Sequence, residues 1–248
     1  MSQPRDSGRL MLGVAPEDYD LPHPAIGLPF ILVVRRVLVH AFALLRTRHG
    51  ALAGLKEDEI TIALESIIEN DLRQRGSVPG FNRQLFGRVV RQRQVIDYTF
   101  GHPAYTPDLI FHLAEDKELS RILCNVNGLF VECKPVDGAH HIDKAYCDEG
   151  IKRFVDGHYA WAMQEGLMLA YVRDGRTIAG HLVPAMRKAS QAGLRTVELP
   201  TTTGMPGAGA LPAAEALHHS RHRRGFPWPD GKGLATDITI YHLWHCCD

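Results

Sequence analysis

Two apolar segments in the middle of the chain carry charged residues at positions where a buried strand rarely has them. The first reads Pro107-Asp108 followed by LIFHL, and the second reads GLFVECKPV with Glu132 and Lys134 inside it. Because side chains alternate along a strand, Glu132 and Lys134 share one face and Cys133 points to the other. Adjacent strands lie about 4.8 Å apart, so pairing the two segments brings Asp108 beside Glu132. The sequence therefore predicts a cluster of two carboxylates and one ammonium group.

Such a cluster is suited to binding a hard cation. Two carboxylates at close range repel each other, and one takes a proton unless a cation lies between them. Mg²⁺ suits this setting because it typically uses one or two carboxylates together with waters and a substrate phosphate. The ion polarises a phosphoryl oxygen and lowers the pKa of bound water. Lys134, two residues after Glu132, is placed to position the attacking water or to stabilise developing charge.

These motifs resemble those of the PD-(D/E)XK nuclease superfamily. Pro107-Asp108 and Glu132-Cys133-Lys134, preceded by a Glu-bearing helix, carry the resemblance, which covers roughly residues 55 to 172. It implies an α/β fold with a mixed central β-sheet flanked by helices, a restriction-endonuclease-like core, and phosphodiester hydrolysis that depends on Mg²⁺ or Mn²⁺. It also implies that Asp108 and Glu132 are metal ligands, that the main-chain carbonyl of Cys133 is a third ligand, and that Lys134 is the catalytic lysine.

The helix before these strands offers a further carboxylate, which members of the superfamily often use. Residues from Lys56 to Arg75 place apolar side chains at i, i+3 and i+4 spacing, centred near Ile60, Leu64 and Ile67. Glu57 falls within about 60° of that centre, whereas the other three glutamates of the helix lie beyond about 100°. We therefore expect Glu57 to face the sheet and join the catalytic group. The alternative is a first-turn acid favoured by the helix dipole.

Hydrophobic patterning outlines the remaining elements. Besides the two motif strands, it predicts strands at Gln94–Phe100, Leu167–Val172 and Asp237–Trp244, helices at Phe30–Arg48, His141–Glu165 and Ile178–Ala192, and a loop at Thr201–Pro212. Residues 1–54 are expected to form an N-terminal arm and an apolar helix that packs on the core. Residues 55–248 are expected to form a nuclease-like α/β domain with a C-terminal loop and strand.

A basic stretch without acidic residues runs from residue 72 to residue 96. Phosphate contacts dominate nucleic-acid affinity, so such a stretch beside a metal site suits a polyanionic substrate. The candidate nucleic-acid contacts are Arg88, Arg91 and Arg93, together with Lys152 and Arg153 on the helix after the second motif strand. The alternative is a solvated charged face balanced by acids elsewhere.

Three other groups of residues point less clearly to a role. The string SRHRR at Ser220–Arg224 is predicted to be a basic loop, either one that folds onto a nucleic-acid backbone or plain surface. Tyr146, Phe154 and Tyr159 are expected to serve packing. The histidine and cysteine clusters at residues 140–147 and 242–247 lack the paired spacing of a structural zinc site, so zinc is not expected.

Composition limits the alternatives. The 248 residues include 28 Lys+Arg and 28 Asp+Glu, which excludes a bulk polycation that coats nucleic acid. The most apolar run, from Ile26 to Leu45, contains Arg35 and Arg36, and each arginine near a bilayer centre costs about 2.5–3.5 kcal/mol. A membrane partner is therefore not expected. Five cysteines without a CxxC pair, and a start without an apolar h-region, indicate a reducing, cytoplasmic location.

The sequence thus favours a cytoplasmic Mg²⁺-dependent endodeoxyribonuclease with DNA as its partner, and it leaves open whether the chain forms a homodimer or joins a larger complex. Two alternatives stay open. One is a non-catalytic interaction module that keeps the nuclease fold, against which the intact constellation argues. The other is a nuclease of the same fold that acts on RNA, for which no RNA-specific stacking motif is visible.

Overall fold

The structure is a computed structural model that describes residues 19–99, 105–114, 122–123, 126–204 and 216–248. Several positions that the sequence analysis discussed lie outside these ranges. They are residues 1–18 of the N-terminal arm, Phe100, and residues 205–212 of the predicted loop.

Four longer helices occur in the described ranges. Helix α1 is Leu28–His49. Helix α2 begins as Glu57–Ile67 and continues through a wider, π-type turn at Ile68–Leu72 into Arg73–Arg75. Helix α3 combines Ile142–Ile151 with Lys152–Val155, and helix α4 combines Ile178–Leu182, Val183–Ala189 and Ser190–Leu194.

Seven strands in these ranges form one mixed sheet. They are β1 (Phe86–Arg91), β2 (Leu109–Leu113), β3 (Gly128–Val136), β4 (Glu165–Val172), β5 (Thr196–Thr202), β6 (Leu217–His222) and β7 (Ile238–Cys246). Their order in the sheet is β1-β2-β3-β4-β7-β6-β5. The central pairs β3–β4 and β4–β7 are parallel, and the outer pairs are antiparallel.

Helices cover both faces of this sheet. On one face, the Tyr171 hydroxyl of β4 lies 2.8 Å from Thr61 Oγ1 of α2. The ring of Tyr171 also packs edge-on against Phe42 of α1. On the other face, Tyr146 of α3 contacts His242 of β7, and α4 packs beside α3. The buried apolar side chains of all these layers form one continuous core, and each large one contributes about 1.5–3 kcal/mol.

Helix α1 belongs to this core. Nine of its residues are buried, among them Ile31, Leu38 and Phe42. In the part of the chain that the structure describes, it is also the one helix long and apolar enough to cross a membrane, and half of its most apolar window is buried inside the fold.

The predicted fold class is confirmed, because the chain forms a mixed α/β sheet flanked by helices. The predicted helices starting near residues 30, 56 and 178 are present, as are the two motif strands and the strands near residues 167 and 237. Three other elements differ from prediction.

The strand predicted at Gln94–Phe100 is wrong for the residues that the structure describes. Strand β1 precedes it and ends at Arg91, because Gln92 has a positive φ of 47°. Beyond that point, Val95 forms a single bridge with Tyr105. The strand β1 escaped prediction because a bulge between Phe86 and Val89 interrupts its alternation, and because edge strands commonly carry charged side chains.

The helix predicted at His141–Glu165 is too long. Helix α3 ends at Val155, and the chain reverses at Gly157, whose φ is +76°. A Cβ atom at Gly157 would lie 2.6 Å from the ring of Phe226, so the turn also requires the close approach that glycine allows.

The basic loop predicted at Ser220–Arg224 is also wrong. Residues 220–222 belong to β6, and Ser220, His222 and Arg224 are buried. The Arg224 guanidinium donates to the carbonyl groups of Trp161 and Met163. This arginine therefore stabilises the fold instead of facing a polyanion.

Candidate active site

Asp108 and Glu132 meet where β2 begins beside β3. Leu109, the first residue of β2, pairs with Val131, so Asp108 lies directly opposite Glu132 in the antiparallel register. Asp108 Oδ2 accepts a hydrogen bond of 2.6 Å from the main-chain N–H of Cys133. In an antiparallel ladder a residue directs its N–H and C=O to the same side, so the Cys133 carbonyl also lies on this side, beyond the end of β2. All three predicted metal ligands therefore lie close together where β2 begins beside β3.

Glu132 is completely buried and is held by three donors. Lys134 Nζ and Arg153 Nη1 each lie 2.7 Å from Glu132 Oε1, and Tyr159 donates its hydroxyl to Oε2 at 2.5 Å. Burial and the charge of Glu132 raise the pKa of Tyr159 well above its ordinary value, so this phenol stays protonated. An unpartnered carboxylate here would be strongly destabilising. These three donors make a buried Glu132 charge tolerable.

Lys134 links Glu132 to Glu57, because its Nζ atom also lies 3.9 Å from Glu57 Oε1. Burial acts to lower the pKa of Lys134, but the charges of Glu132 and Glu57 outweigh it and raise the pKa. Thr61 anchors the first turn of α2 to the sheet. Its Oγ1 atom donates to the Glu57 carbonyl and contacts the Tyr171 hydroxyl of β4, both at 2.8 Å. Glu57 therefore reaches the cluster from an anchored helix start.

Asp108 is the acid of this cluster that lacks a basic partner. Within the described ranges, no Lys, Arg or His lies within ion-pair distance of its carboxyl group, whereas Glu132 has two such partners and Glu57 has one. Burial and the negative charge of Glu132 raise the pKa of Asp108 to about 7. Burial likewise raises the pKa of Glu57. The cluster thus contains one more acidic group than basic groups, and an added cation beside Asp108 would relieve that excess.

The donors at this edge suit a hard divalent cation. No three His, Cys, Asp or Glu side chains converge on one point in the described part of the chain. Asp108, the Cys133 carbonyl and Glu132 nevertheless offer three hard oxygen donors, and Mg²⁺ commonly completes its shell with water. Since both oxygens of Glu132 already accept hydrogen bonds, it would reach a cation only by sharing them. Asp108 is therefore the principal candidate ligand.

Of the predicted nucleic-acid contacts near the cluster, Arg88 and Arg91 lie on β1 and Arg93 lies two residues beyond its end. Arg88 and Arg93 are exposed, and Arg91 is half-buried. The Gln92 N–H donates to the Asp108 carbonyl at 3.4 Å, so Arg91 and Arg93 flank the backbone of Asp108. Positive charge thus borders the acidic cluster on its β1 side.

The two predicted contacts on α3 are placed differently. Arg153 binds Glu132 and so belongs to the cluster itself. Lys152 pairs with Asp156 at 3.3 Å. Tyr159, expected to serve packing alone, is both buried and a direct partner of Glu132. No sequence motif predicts the contact of Tyr159 with Glu132, because it depends on the turn at Gly157 that brings the chain back towards β3.

Tyr146 and two histidines of β6 and β7 form a separate buried group. Tyr146 and Phe154 are buried, as expected for packing residues. Tyr146 accepts a hydrogen bond from Trp244 Nε1 at 3.0 Å and contacts His242 Nδ1 at 3.1 Å. Ser220 Oγ then lies 2.8 Å from His242 Nε2 and 2.8 Å from His222 Nε2. These side chains form a buried polar chain between α3 and the sheet.

The structure therefore brings Asp108, Glu132, Lys134 and Glu57 into one cluster, adds Arg153 and Tyr159 to it, and leaves arginines of β1 at its border. The chain matches no protein-family model, no curated protein and no solved structure.

Proposed function

We propose that this chain is a nuclease that depends on a divalent metal and hydrolyses phosphodiester bonds in DNA, acting as a Mg²⁺- or Mn²⁺-dependent endonuclease. One observation carries the proposal. Asp108 lies opposite Glu132 at adjoining strand positions, and the Lys134 ammonium group contacts Glu132 two residues further on. Paired carboxylates with a neighbouring lysine suit the developing charge of phosphoryl transfer. The α/β sheet with flanking helices agrees with the PD-(D/E)XK resemblance.

Each residue has a distinct role in this proposal. Asp108, with Glu132 and the Cys133 carbonyl, would hold the cation, which when bound polarises a phosphoryl oxygen and makes water more acidic. The Lys134 ammonium orients the attacking water or stabilises the charge that develops on phosphorus oxygens. Glu57 holds Lys134 from the other side and orients water near it.

The position of the cluster also supports a polyanionic substrate. Arg91 and Arg93 flank the backbone of Asp108, and Arg88 is exposed on the same edge strand. A DNA strand that reaches the cluster from this side meets positive charge first. Its phosphates are held there largely by electrostatic attraction, so we expect binding to weaken as salt concentration rises.

The direct test is cleavage of single-stranded, double-stranded and circular DNA, and of RNA, with Mg²⁺, Mn²⁺ or EDTA. Asp108→Asn keeps an acceptor for the Cys133 N–H but removes the carboxylate, and Lys134→Ala removes the ammonium. Each should lower metal-dependent cleavage at least about 100-fold while circular dichroism stays unchanged. Asp58→Asn, one residue from Glu57 and exposed, should retain activity. Full activity of both cluster variants would exclude the assignment, and cleavage of RNA alone would redirect it to an RNA nuclease.

A second candidate function rests on the fact that both carboxylate oxygens of Glu132 already have protein donors. Three donors occupy its carboxylate, as in a buried structural ion pair. A non-catalytic interaction module with this fold would show that arrangement and would bind no cation. Calorimetric titration with Mg²⁺ and Mn²⁺ separates the two functions, because a nuclease binds the metal and loses that binding on Asp108→Ala.

A further inference from the structure

Two aromatic side chains stack beside the acidic cluster. The rings of Tyr105 and His158 lie 3.8 Å apart at an interplanar angle of 4°. Both residues are half-buried, and Tyr105 packs against the rim of the core. The His158 Nδ1 atom is buried and has no hydrogen-bond partner among the described residues. A half-buried aromatic pair offers an outer ring face on which a planar ligand can stack.

Each ring is tied by its own chain segment to a residue of the cluster. Tyr105 lies three positions before Asp108 in an extended segment. His158 directly precedes Tyr159, whose hydroxyl holds Glu132, and the His158 N–H donates to the Arg153 carbonyl at 2.9 Å. The stacked pair is therefore fixed relative to both carboxylates.

The chain that carries the arginines runs alongside the same segment. The Gln92 N–H donates to the Asp108 carbonyl, and the Val95 N–H donates to the Tyr105 carbonyl, each at 3.4 Å. Arg93 therefore lies between these two contacts and is exposed. Positive charge, an aromatic stack and the acidic cluster thus occupy neighbouring positions on one surface.

From this arrangement we propose that the Tyr105–His158 pair binds an unpaired nucleobase next to the phosphate at the cluster. The substrate of the proposed nuclease is then DNA with single-stranded character. Stacking on aromatic side chains tolerates every base because each base has a π face, and basic side chains beside the stack hold the backbone. In a duplex the bases already stack on one another, so a paired nucleotide offers no face to this pair.

This inference rests on the proposed function for its biological meaning, but its binding test does not need catalysis. Fluorescence anisotropy in EDTA would measure the affinity of a labelled 15-nucleotide single strand, the same strand in a duplex, and a single strand with abasic sites. Stacking of one base changes affinity by roughly 5- to 100-fold. We expect the wild type to prefer the intact single strand over the duplex and over the abasic strand by about that factor.

The variants separate stacking from overall charge and from folding. Tyr105→Ala and His158→Ala should each lose the preference for intact over abasic strands, whereas Tyr105→Phe should keep it because stacking needs no hydroxyl. Arg93→Ala should weaken binding to intact and abasic strands alike. Circular dichroism and thermal melting would confirm that each alanine variant folds, and 2-aminopurine fluorescence, quenched on stacking, gives a second readout on Tyr105→Phe.

The outcomes are distinguishable. If the wild type binds abasic and intact strands equally, or if Tyr105→Ala keeps the preference, the stacking site is excluded even if the protein cleaves DNA. If no nucleic acid is cleaved but the base preference is present and is lost in Tyr105→Ala, the stacking site stands and the nuclease assignment fails. A preference for single-stranded RNA over single-stranded DNA would overturn DNA as the ligand.

Discussion

Asp108 and Glu132 occupy opposing positions on adjacent strands, yet their carboxylates are stabilised in opposite ways. Two cations and a phenol contact Glu132, whereas Asp108 accepts a main-chain hydrogen bond and, within the described ranges, has no cation within ion-pair distance. We therefore expect Asp108 to be the carboxyl group of this cluster that responds most to pH and to added metal.

Asp108→Asn should stabilise the metal-free protein at alkaline pH. The pKa of Asp108 is raised to about 7 in the folded state, against 3.8 for an ordinary aspartate. Between those values the folded state binds more protons than the unfolded state, so the contribution of Asp108 to stability falls as pH rises. The variant removes this loss, so its free energy of unfolding at pH 8 should exceed that of the wild type by on the order of 4 kcal/mol.

Urea unfolding in EDTA at pH 4 and pH 8 tests this expectation. The two proteins should differ little at pH 4 and most at pH 8. Added Mn²⁺ should raise the midpoint of the wild type at pH 8 and leave that of Asp108→Asn unchanged. A variant that is less stable than the wild type at pH 8 would contradict the proposed electrostatics.

Arg153→Met should tighten binding of a divalent cation. Arg153 competes for Glu132 Oε1, and its removal leaves Lys134 and Tyr159 to hold the carboxylate. The cluster then carries one further negative charge, which should increase Mn²⁺ affinity by roughly 3- to 10-fold. Lys152→Met is the matched control, because Lys152 pairs with Asp156 one turn along the same helix. Weaker Mn²⁺ binding by Arg153→Met in calorimetry would show that Arg153 supports the metal site.

Acid should unfold this protein as its buried histidines become protonated. Burial lowers the pKa values of His23, His222 and His245 to about 4, and it lowers that of His242 well below its ordinary value. Between an unfolded-state pKa of about 6.5 and these values the unfolded state binds more protons, so stability falls as pH falls. The raised pKa values of Asp108, Glu57 and Glu165 act in the opposite direction, and we expect the four histidines to outweigh them.

The measurement is the free energy of unfolding in urea from pH 7.5 to pH 4.5. We expect a continuous fall with pH, smaller in His222→Gln because glutamine stays neutral and can still donate to the Leu194 carbonyl. His141→Gln, at an exposed position, serves as the control and should reproduce the wild-type profile. A stability independent of pH over this range would contradict neutral burial of these rings.

The buried hydrogen-bonded chain of Tyr146, His242, Ser220 and His222 fixes the ring tautomers of His222 and His242. His222 Nδ1 faces the Leu194 carbonyl and must carry a proton, so His222 Nε2 accepts from the Ser220 hydroxyl. The Ser220 oxygen then accepts from His242 Nε2–H, and His242 Nδ1 accepts from Tyr146. Nitrogen-15 spectra at pH 7.5 should therefore show the Nδ1–H tautomer for His222 and the Nε2–H tautomer for His242. The reverse assignment for either ring would break the chain of hydrogen bonds.

The acidic cluster was easier to predict from the sequence than its surroundings because the two depend on different physics. Strand alternation and one antiparallel pairing are local rules, and they suffice to bring Asp108, Glu132 and Lys134 together. Helical periodicity does the same for Glu57. Arg153 and Tyr159 join the cluster through the end of α3 and the turn at Gly157, which no local pattern specifies.

The prediction of a basic loop at residues 220–224 was wrong because a strand can bury polar side chains. Ser220 and His222 of β6 point into the fold and satisfy one another or other buried groups. A run of basic and polar residues in the sequence does not indicate that their side chains form hydrogen bonds inside the fold. In the same way, β1 carries arginines on an edge strand whose bulge hides the alternation of its apolar residues.

Arg224 tests whether residues 220–224 stabilise the fold instead of binding nucleic acid. Its guanidinium is buried and donates to the carbonyl groups of Trp161, Met163 and Thr236. Arg224→Ala removes these bonds and leaves the carbonyl groups unsatisfied, which should lower the free energy of unfolding by about 3 kcal/mol or more. Arg223→Ala, at the exposed neighbouring position, should change it by less than about 0.5 kcal/mol. Urea unfolding measures both variants, and DNA affinity at equal folded concentration should be the same for Arg224→Ala as for the wild type. A stable Arg224→Ala that bound DNA weakly would instead restore this arginine to a nucleic-acid surface.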